Sequence, residues 1–522
     1  MNKTQIMTRN VLCVLLLCNI IFAIVPFVLP VYFDAHDDSL MLLFASGAYT
    51  GTPETHLVYN HIFYGEFLAF LYRITGKIEW YTLVQYVLQV VSFNVFLYHI
   101  LCLDTKKLYK YLYSAVIMLI AVGQLIRPQY TFVASELSLA SIVVIYGKRN
   151  IWCCVFSGLL FVSACLLRIT AACIPYFIIL PLLVFPVLFR EKYYQKKIIF
   201  LSSLVIIAVC LYVIDKHAYT SDSKWKYFTE YNTERQYIID NPSKGSYVFK
   251  DKVKEQEYRL IVEKHIFEGK ILSAKDLDDV VANLSNRTFR NILSNIYPYG
   301  RDYKLSGLLI LCILLGIPCL LYYNKKDWIF VLCLCLFVLA NMFCMHRSSS
   351  KIYLSMALSI PILFVFLVDT YQKVRRSRKW NIILILPMII YLGGYRLFFL
   401  IDWNKREIES YKPLKEIVKG VECKKMAYID TAFGGELAFH TSQSRQGRIF
   451  LRQAWVTNSP YNNMFYDGFK SYVDNMPLLL RTKNMTVIPK IQKILLDHYH
   501  VKTKVIIWKS NNQWTIFRLK SI

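Results

Sequence analysis

Runs of about twenty apolar residues recur from end to end of this chain, and about that many are needed for a helix to cross the hydrocarbon core of a bilayer. Together with a 56% hydrophobic composition, this predicts a polytopic helical membrane protein rather than a soluble domain. The first run, Val11 to Phe33, is too long for a signal-peptide core and no small-residue cleavage site follows it, so it reads as a retained anchor. The formal charge of +26 would suit a nucleic-acid binder if it gathered on one soluble face. Instead Lys and Arg cluster in short loops between apolar runs, which is the positive-inside pattern, and nucleic acid is excluded as a partner. Nearly all of the fourteen cysteines fall in or beside apolar runs, so neither a disulfide framework nor a CxxC metal site is expected.

The basic loops at Lys106-Lys107 to Lys110, Lys148-Arg149, Arg190 to Lys197, Lys325-Lys326 and Lys373 to Lys379 can all be cytoplasmic if the spans between them are taken in pairs. This predicts crossings at 11–33, 80–103, 111–127, 131–146, 151–167, 171–189, 198–215, 305–323, 328–345, 352–369 and 380–400, about eleven in all. The N-terminus is then cytoplasmic and the C-terminus outside. His61 to Ile74 is apolar but short, and counting it as a crossing would put basic loops on the wrong side, so an interfacial or re-entrant helix is expected there.

The predicted membrane part is 1–400. Within it, 34–79 forms a first external loop, with a short helix over Ser39 to Ser46 capped by Asp38 or Ser39 and broken by Gly47, Gly51 and Pro53. Residues 216–304 alternate acids and bases, with helical periodicity over Val248 to Glu268, and read as a helical external insert. Residues 401–522 form an extracytoplasmic α/β domain, with strands at 425–430, 448–452, 503–508 and 513–518 and a helix at 488–499. The fold class expected is an all-α membrane bundle carrying a small α/β C-terminal domain.

Asp37 and Asp38 follow the first span directly. Acids cost roughly 2.5 to 3.5 kcal/mol at mid-membrane, so a bundle that keeps several near its mouth normally uses them; the blander reading is a solvated helix cap. On the same predicted side lie Glu136, about a turn and a half inside its span, and Arg168, which closes one span before the chain turns back at Thr170. Arg127 sits in an external turn. Arg347 and Lys351 are four apart, so in a helical turn they would share a face, and with the Tyr353 hydroxyl they suit a phosphate. Any one of these cations could merely snorkel to headgroups.

Several of these landmarks resemble GT-C glycosyltransferases of the aminoarabinose and protein O-mannosyl transferase types. Asp37-Asp38, Ala45-Ser46-Gly47, Asn60-His61 and Gly76 resemble their first external loop. Gly158 through Leu167-Arg168-Ile169 resembles their Gly-rich span, and Phe343, Ser348, Lys351, Tyr353 and Pro361 their late Ser, Lys, Tyr and Pro series. The chain departs from that pattern in a shorter spacing from Asp37 to Ala45, in Asn60-His61 where Lys-Pro is usual, and in Glu136 where an Asp is usual.

The resemblance implies transfer of a sugar from a polyprenyl-phosphate donor, with inversion, to a glycan, lipid or protein acceptor in the bacterial inner membrane. It fits envelope or surface-polysaccharide synthesis. Such a reaction needs a base, positive charge on the leaving phosphate and a groove for the lipid. Asp37 or Asp38 is the expected base, with Glu136 orienting an acceptor hydroxyl or a cation. His61, Arg168, Arg347, Lys351 and Tyr353 are the expected donor-binding set. No cofactor is assigned; Asp37, Asp38 and Glu136 are hard oxygen donors that could hold a divalent cation. The rival readings are a surface-polysaccharide polymerase or lipid-linked sugar flippase, favoured by Asn19, Gln85, Gln89, Asn94 and Asn341 within spans, and a non-catalytic scaffold presenting 401–522.

Overall fold

The computed structural model describes residues 3–34, 36–103, 107–147, 150–188, 195–241, 244–264, 266, 268–284, 390–418, 421, 425–428, 449–452 and 455–522. The described membrane part is helical: α1 (Lys3–Val28), α2 (His36–Ala45), α3 (Ile62–Ile74), α4 (Trp80–Cys102), α5 (Lys107–Leu125), α6 (Tyr130–Gly147), α7 (Ile151–Leu188) and α8 (Gln195–Thr220). Among the described residues four stretches are long and apolar enough to cross a membrane, Arg9–Val28, Trp80–Cys102, Ile151–Tyr176, which a kink at Arg168 divides, and Ile199–Thr220, and α5 and α6 contain shorter apolar helices. The chain is an integral membrane protein on that composition. The expected spans at 305–323, 328–345 and 352–369, and most of 380–400, lie outside the described residues, so the count of eleven is not reached among those described.

Helix α6 is the axis of the described bundle, buried on every side from Tyr130 to Val143. Its Ala and Ser residues let neighbouring backbones come close, and the hydroxyls satisfy carbonyls that lipid would leave unpaired. Ser135 Oγ donates to the Ala171 carbonyl at 3.3 Å. Ser141 Oγ lies 2.8 Å from both Ser157 Oγ and Tyr176 Oη. In a straight helix residues 157 and 176 would stand about 28 Å apart. Both reach one serine, so the two arms of α7 fold back on each other. The reversal falls at Arg168, whose backbone is extended (φ −165°, ψ 105°), matching the expected boundary between two spans.

Helix α3 is 13 residues long. It buries Ile62, Tyr64, Leu68 and Tyr72 and exposes Phe63, Phe67, Phe70 and Ile74 as an apolar stripe, the pattern of a helix lying along lipid. Helix α2 begins at His36, earlier than the sequence suggested, so Asp37 and Asp38 sit in its first turn rather than at its cap, where the helix dipole favours negative charge. Gly47 ends this region at φ +76°, where a Cβ would meet the Thr52 carbonyl carbon at 2.6 Å.

Beyond α8, α9 (Ser223–Asp240), α10 (Lys252–Lys264) and α11 (Ala274–Leu284) enclose their own apolar cluster of Tyr231, Ile238, Tyr258, Ile261, Leu272, Leu277 and Val280. After a π-helical stretch at Ile390–Leu397, α12 (Phe398–Val418) runs through the expected boundary at 400/401 and includes Pro413. Asn511 Nδ2 donates to the Pro413 carbonyl.

The terminal sheet has strands β1 (Lys425–Tyr428), β2 (Ile449–Arg452), β3 (Leu478–Arg481), β4 (Thr503–Ser510) and β5 (Trp514–Ser521) in the order β2-β1-β3-β5-β4. The β1 strand is parallel to β2 and β3, and the β3–β5 and β5–β4 pairs are antiparallel. Leu414, Ile417 and Val421 pack on one sheet face with Met426, Leu479, Trp514 and Ile516. Helix α13 (Ile488–Tyr499) brings Ile491, Ile494 and Leu495 to the cluster that holds the alternate residues Leu478, Leu480, Phe517 and Leu519. The β3 strand escapes a search for alternation because it is apolar on both faces.

Candidate active site at the bundle mouth

The start of α2, the start of α4, the start of α6 and the α7 reversal meet at one end of the bundle. Asp38 is fully buried there. Its Oδ1 accepts hydrogen bonds from Tyr81 Oη at 2.9 Å, Gln85 Nε2 at 3.3 Å and the Tyr130 backbone N–H at 3.2 Å. Tyr81 and Gln85 lie four apart on α4, which places them on one face. Asp37, one position earlier, is half-buried.

Tyr130 carries the link onward. Its hydroxyl accepts from Arg168 Nη1 at 2.9 Å, the same nitrogen donates to Thr131 Oγ1 at 2.8 Å, and the guanidinium carbon lies 5.3 Å from the Tyr130 ring centroid. An acid from the first loop and a cation from the α7 apex, 130 positions apart, thus meet on a single tyrosine. Tyr59 stacks on Tyr130 (centroids 6.4 Å, 13° between planes), meets Trp455 edge-on at 4.9 Å, and accepts from Gln236 Nε2 at 2.7 Å. The insert and the C-terminal domain therefore both border this corner.

The other predicted residues divide. Glu136 is buried, and its Oε2 accepts from Gln89 Nε2 at 3.2 Å. It sits six residues along α6 from Tyr130, about 9 Å by helical rise, and does not join the Asp38 cluster. His61 is engaged within the bundle: Nδ1 accepts the Phe63 N–H at 3.1 Å, so Nε2 carries the proton and donates to the Leu211 carbonyl at 2.9 Å. Nδ1 thus caps α3, and Nε2 ties the cap to α8. Arg347, Lys351 and Tyr353 lie outside the described residues. Among the described residues no three His, Cys, Asp or Glu side chains assemble a metal-holding group, so Asp37, Asp38 and Glu136 are not gathered around one cation.

Sequence reasoning passed over a second ionic contact nearby. Arg127 Nε meets Asp34 Oδ1 at 2.9 Å, its Nη1 donates to Asn404 Oδ1 at 2.8 Å, and Trp403 lies under the guanidinium. Asn404 Nδ2 in turn donates to the Pro30 carbonyl. Arg127 is therefore committed to holding α12 against the end of α1. The polar residues deeper in the bundle also pair off: Asn19 and Asn94 exchange two amide hydrogen bonds, at 2.8 and 2.9 Å.

No family model matches the chain, and no curated protein matches it. Among solved structures, the apo-state crystal structure of ArnT from Cupriavidus metallidurans aligns with 98% of this chain and 98% of its own, at a TM-score of 0.42 and 9% identity. At that level the likeness assigns neither a residue role nor a reaction to this chain.

Proposed function

We propose that this protein is a GT-C-type glycosyltransferase of the bacterial inner membrane. It moves a sugar from a polyprenyl-phosphate donor to an extracytoplasmic glycan, lipid or protein acceptor in envelope or surface-polysaccharide synthesis, with the N-terminus cytoplasmic and the C-terminal domain outside. The single observation that carries this reading is the convergence of Asp38 and Arg168 on Tyr130.

In this mechanism the half-buried Asp37 is the general base. Its carboxylate takes the proton of an acceptor hydroxyl as that oxygen attacks the anomeric carbon. The bond from that carbon to the phosphate oxygen breaks, the phosphate leaves with the electron pair, and one displacement inverts the anomeric centre. Asp38, buried and with three donors on its Oδ1, fixes the first turn of α2 and so positions Asp37. Arg168 faces the departing phosphate, with Arg347, Lys351 and Tyr353 completing the anion site. Glu136 is given no step, because it is enclosed between α4 and α6. The adjacent acids do not flank a sugar, so no covalent glycosyl intermediate is invoked. The flippase alternative is less well supported, since Asn19 and Asn94 bond to each other while Gln85 bonds to Asp38 and Gln89 to Glu136, three separate pairings rather than one continuous file.

The test is transfer from a radiolabelled polyprenyl-phosphate sugar in membranes carrying Asp37→Asn or Asp38→Asn. Loss of turnover in Asp37→Asn with donor binding retained is the expected result. Normal turnover in both variants overturns the acid–base reading, and movement of labelled lipid without a glycosidic product would favour a flippase.

A further inference from the structure

The last twenty-two residues of the chain contain Lys502, Lys504, Lys509, Arg518 and Lys520 and no acid. They form the β4–β5 hairpin at one edge of the terminal sheet. Trp514 and Ile516 of β5 are covered by α12, and beyond that cover the same sheet face is bare. The register sets Lys504 opposite Lys520 and Ile506 opposite Arg518. The Arg518 guanidinium carbon lies 4.4 Å from the Trp508 ring centroid, and Trp508 is 45% exposed.

Lysines on an edge strand usually guard against strand addition, which accounts for Lys504 and Lys509; Lys509 also reaches the Glu416 carbonyl at 3.4 Å. That explanation does not extend to β5, which is an interior strand. Like charges directly opposite across two strands are destabilising, and Lys504 and Lys520 are so placed. Asp474 binds Ser521 at the end of β5 and offsets part of the Lys520 charge. The rest of the face keeps its positive charge.

We infer that the outer face of the β4–β5 hairpin is a docking surface for an acidic polysaccharide. Lys504, Lys520 and Arg518 would take carboxylate or phosphate groups, and the open side of the Trp508 ring would take a pyranose face. A lipid-facing surface of this chain looks different: on α3 the apolar residues Phe63, Phe67, Phe70 and Ile74 form a stripe, whereas on the hairpin the exposed Ile506 and Trp508 are ringed by Lys504, Lys509, Arg518 and Lys520. As a means of presenting acceptor to the mouth, the docking surface rests on the transfer reaction proposed above; the docking itself does not.

The experiment uses the full chain in nanodiscs of zwitterionic lipid, with the fluorescence anisotropy of a labelled polygalacturonate oligomer set against a neutral dextran oligomer of equal length. Binding of the acidic oligomer alone, weakening as salt is raised, is expected. Lys504→Gln with Lys520→Gln should weaken it about tenfold, and Trp508→Ala should weaken it as well. These positions are exposed, so an unchanged thermal midpoint verifies folding. Equal binding of both oligomers, or an unaffected double variant, overturns the inference. So does competition by phosphatidylglycerol vesicles that depends on Lys504 and Lys520, which would assign the face to lipid. Asp37→Asn should bind the acidic oligomer as the wild type does. If transfer proves absent while this binding persists, the reaction fails and the docking surface stands; transfer without such binding leaves the opposite result.

Discussion

Among the described residues, a buried acid at the bundle mouth and a buried pair of acids in the insert are held by different sets of donors. At the bundle mouth Asp38 is held by a phenol, an amide side chain and one backbone N–H, with a half-buried neighbour, Asp37, and a guanidinium one residue away through Tyr130. Where the insert meets the C-terminal domain, Glu257 and Glu268 are both fully buried. Glu257 accepts the N–H groups of Gly269 and Leu272, each at 2.9 Å. Glu268 accepts those of Lys270, Ile271 and Phe469 and the Tyr499 hydroxyl. Lys270, close by in sequence, reaches Asp467 instead.

The insert pair is a bolt: backbone N–H groups, one of them that of Phe469 in the C-terminal domain, and the Tyr499 hydroxyl occupy its carboxylate oxygens, which ties the insert to that domain. Asp38 is supported by two side chains that share a helix face and by the Tyr130 N–H, and the Tyr130 hydroxyl in turn holds Arg168. Burial alone therefore does not mark a chemical site.

The contrast breaks first on activity. Asp37→Asn should lower turnover by about a hundredfold to ten-thousandfold, while Glu257→Gln should leave turnover of the intact enzyme near wild type, both read in the membrane transfer assay. Comparable losses from both would erase the distinction. The next largest effect is on stability. Gly468 has φ +74° and a Cβ there would lie 2.0 Å from Glu268 Oε1, so Gly468→Ala should cost about 3 kcal/mol or more and expose the junction to limited proteolysis.

Titration sharpens the picture. Burial, and then the charge of Glu268, push the Glu257 carboxyl from an ordinary 4.5 up to about 8. The folded state therefore favours its protonated form, so the associated stability is complete below about pH 4.5 and is lost as pH rises toward 8, a change on the order of a few kcal/mol. Thermal midpoints of the full chain in detergent should fall across that window, and Glu257→Gln should flatten the fall. The smallest effect belongs to Tyr130→Phe, which removes the acceptor for Arg168 but keeps the N–H to Asp38. A loss of about 1 kcal/mol in kcat/KM is expected, and an unchanged value would mean that Arg168 is oriented without that hydroxyl.

The first acid pair is legible in the sequence because carboxylates next to a long apolar run are costly and therefore conspicuous. Arg168 is legible because a cation between two apolar runs marks a reversal. Their meeting point is not. Tyr81, Gln85 and Tyr130 are ordinary residues for the ends of apolar helices, and only the packing of α2, α4 and α6 brings them together. Glu257 and Glu268 are hidden by an insert in which acids and bases alternate, so nothing in the order of residues separates two buried acids from their solvated neighbours. Helix α12 was obscured by the loss of hydropathy after Trp403, since a helix leaving the bundle becomes amphipathic and looks like the start of a new unit.

Tyr130 gives its main chain to the acid and its ring to the cation. The gap between the opposite charges is thereby gauged by the covalent frame of one amino acid, much as a spacer sets the jaws of a tool. Thicker or thinner bilayers tilt helices against one another, and a centre divided between two helices would widen or narrow with them. A centre strung along one tyrosine should keep its bore.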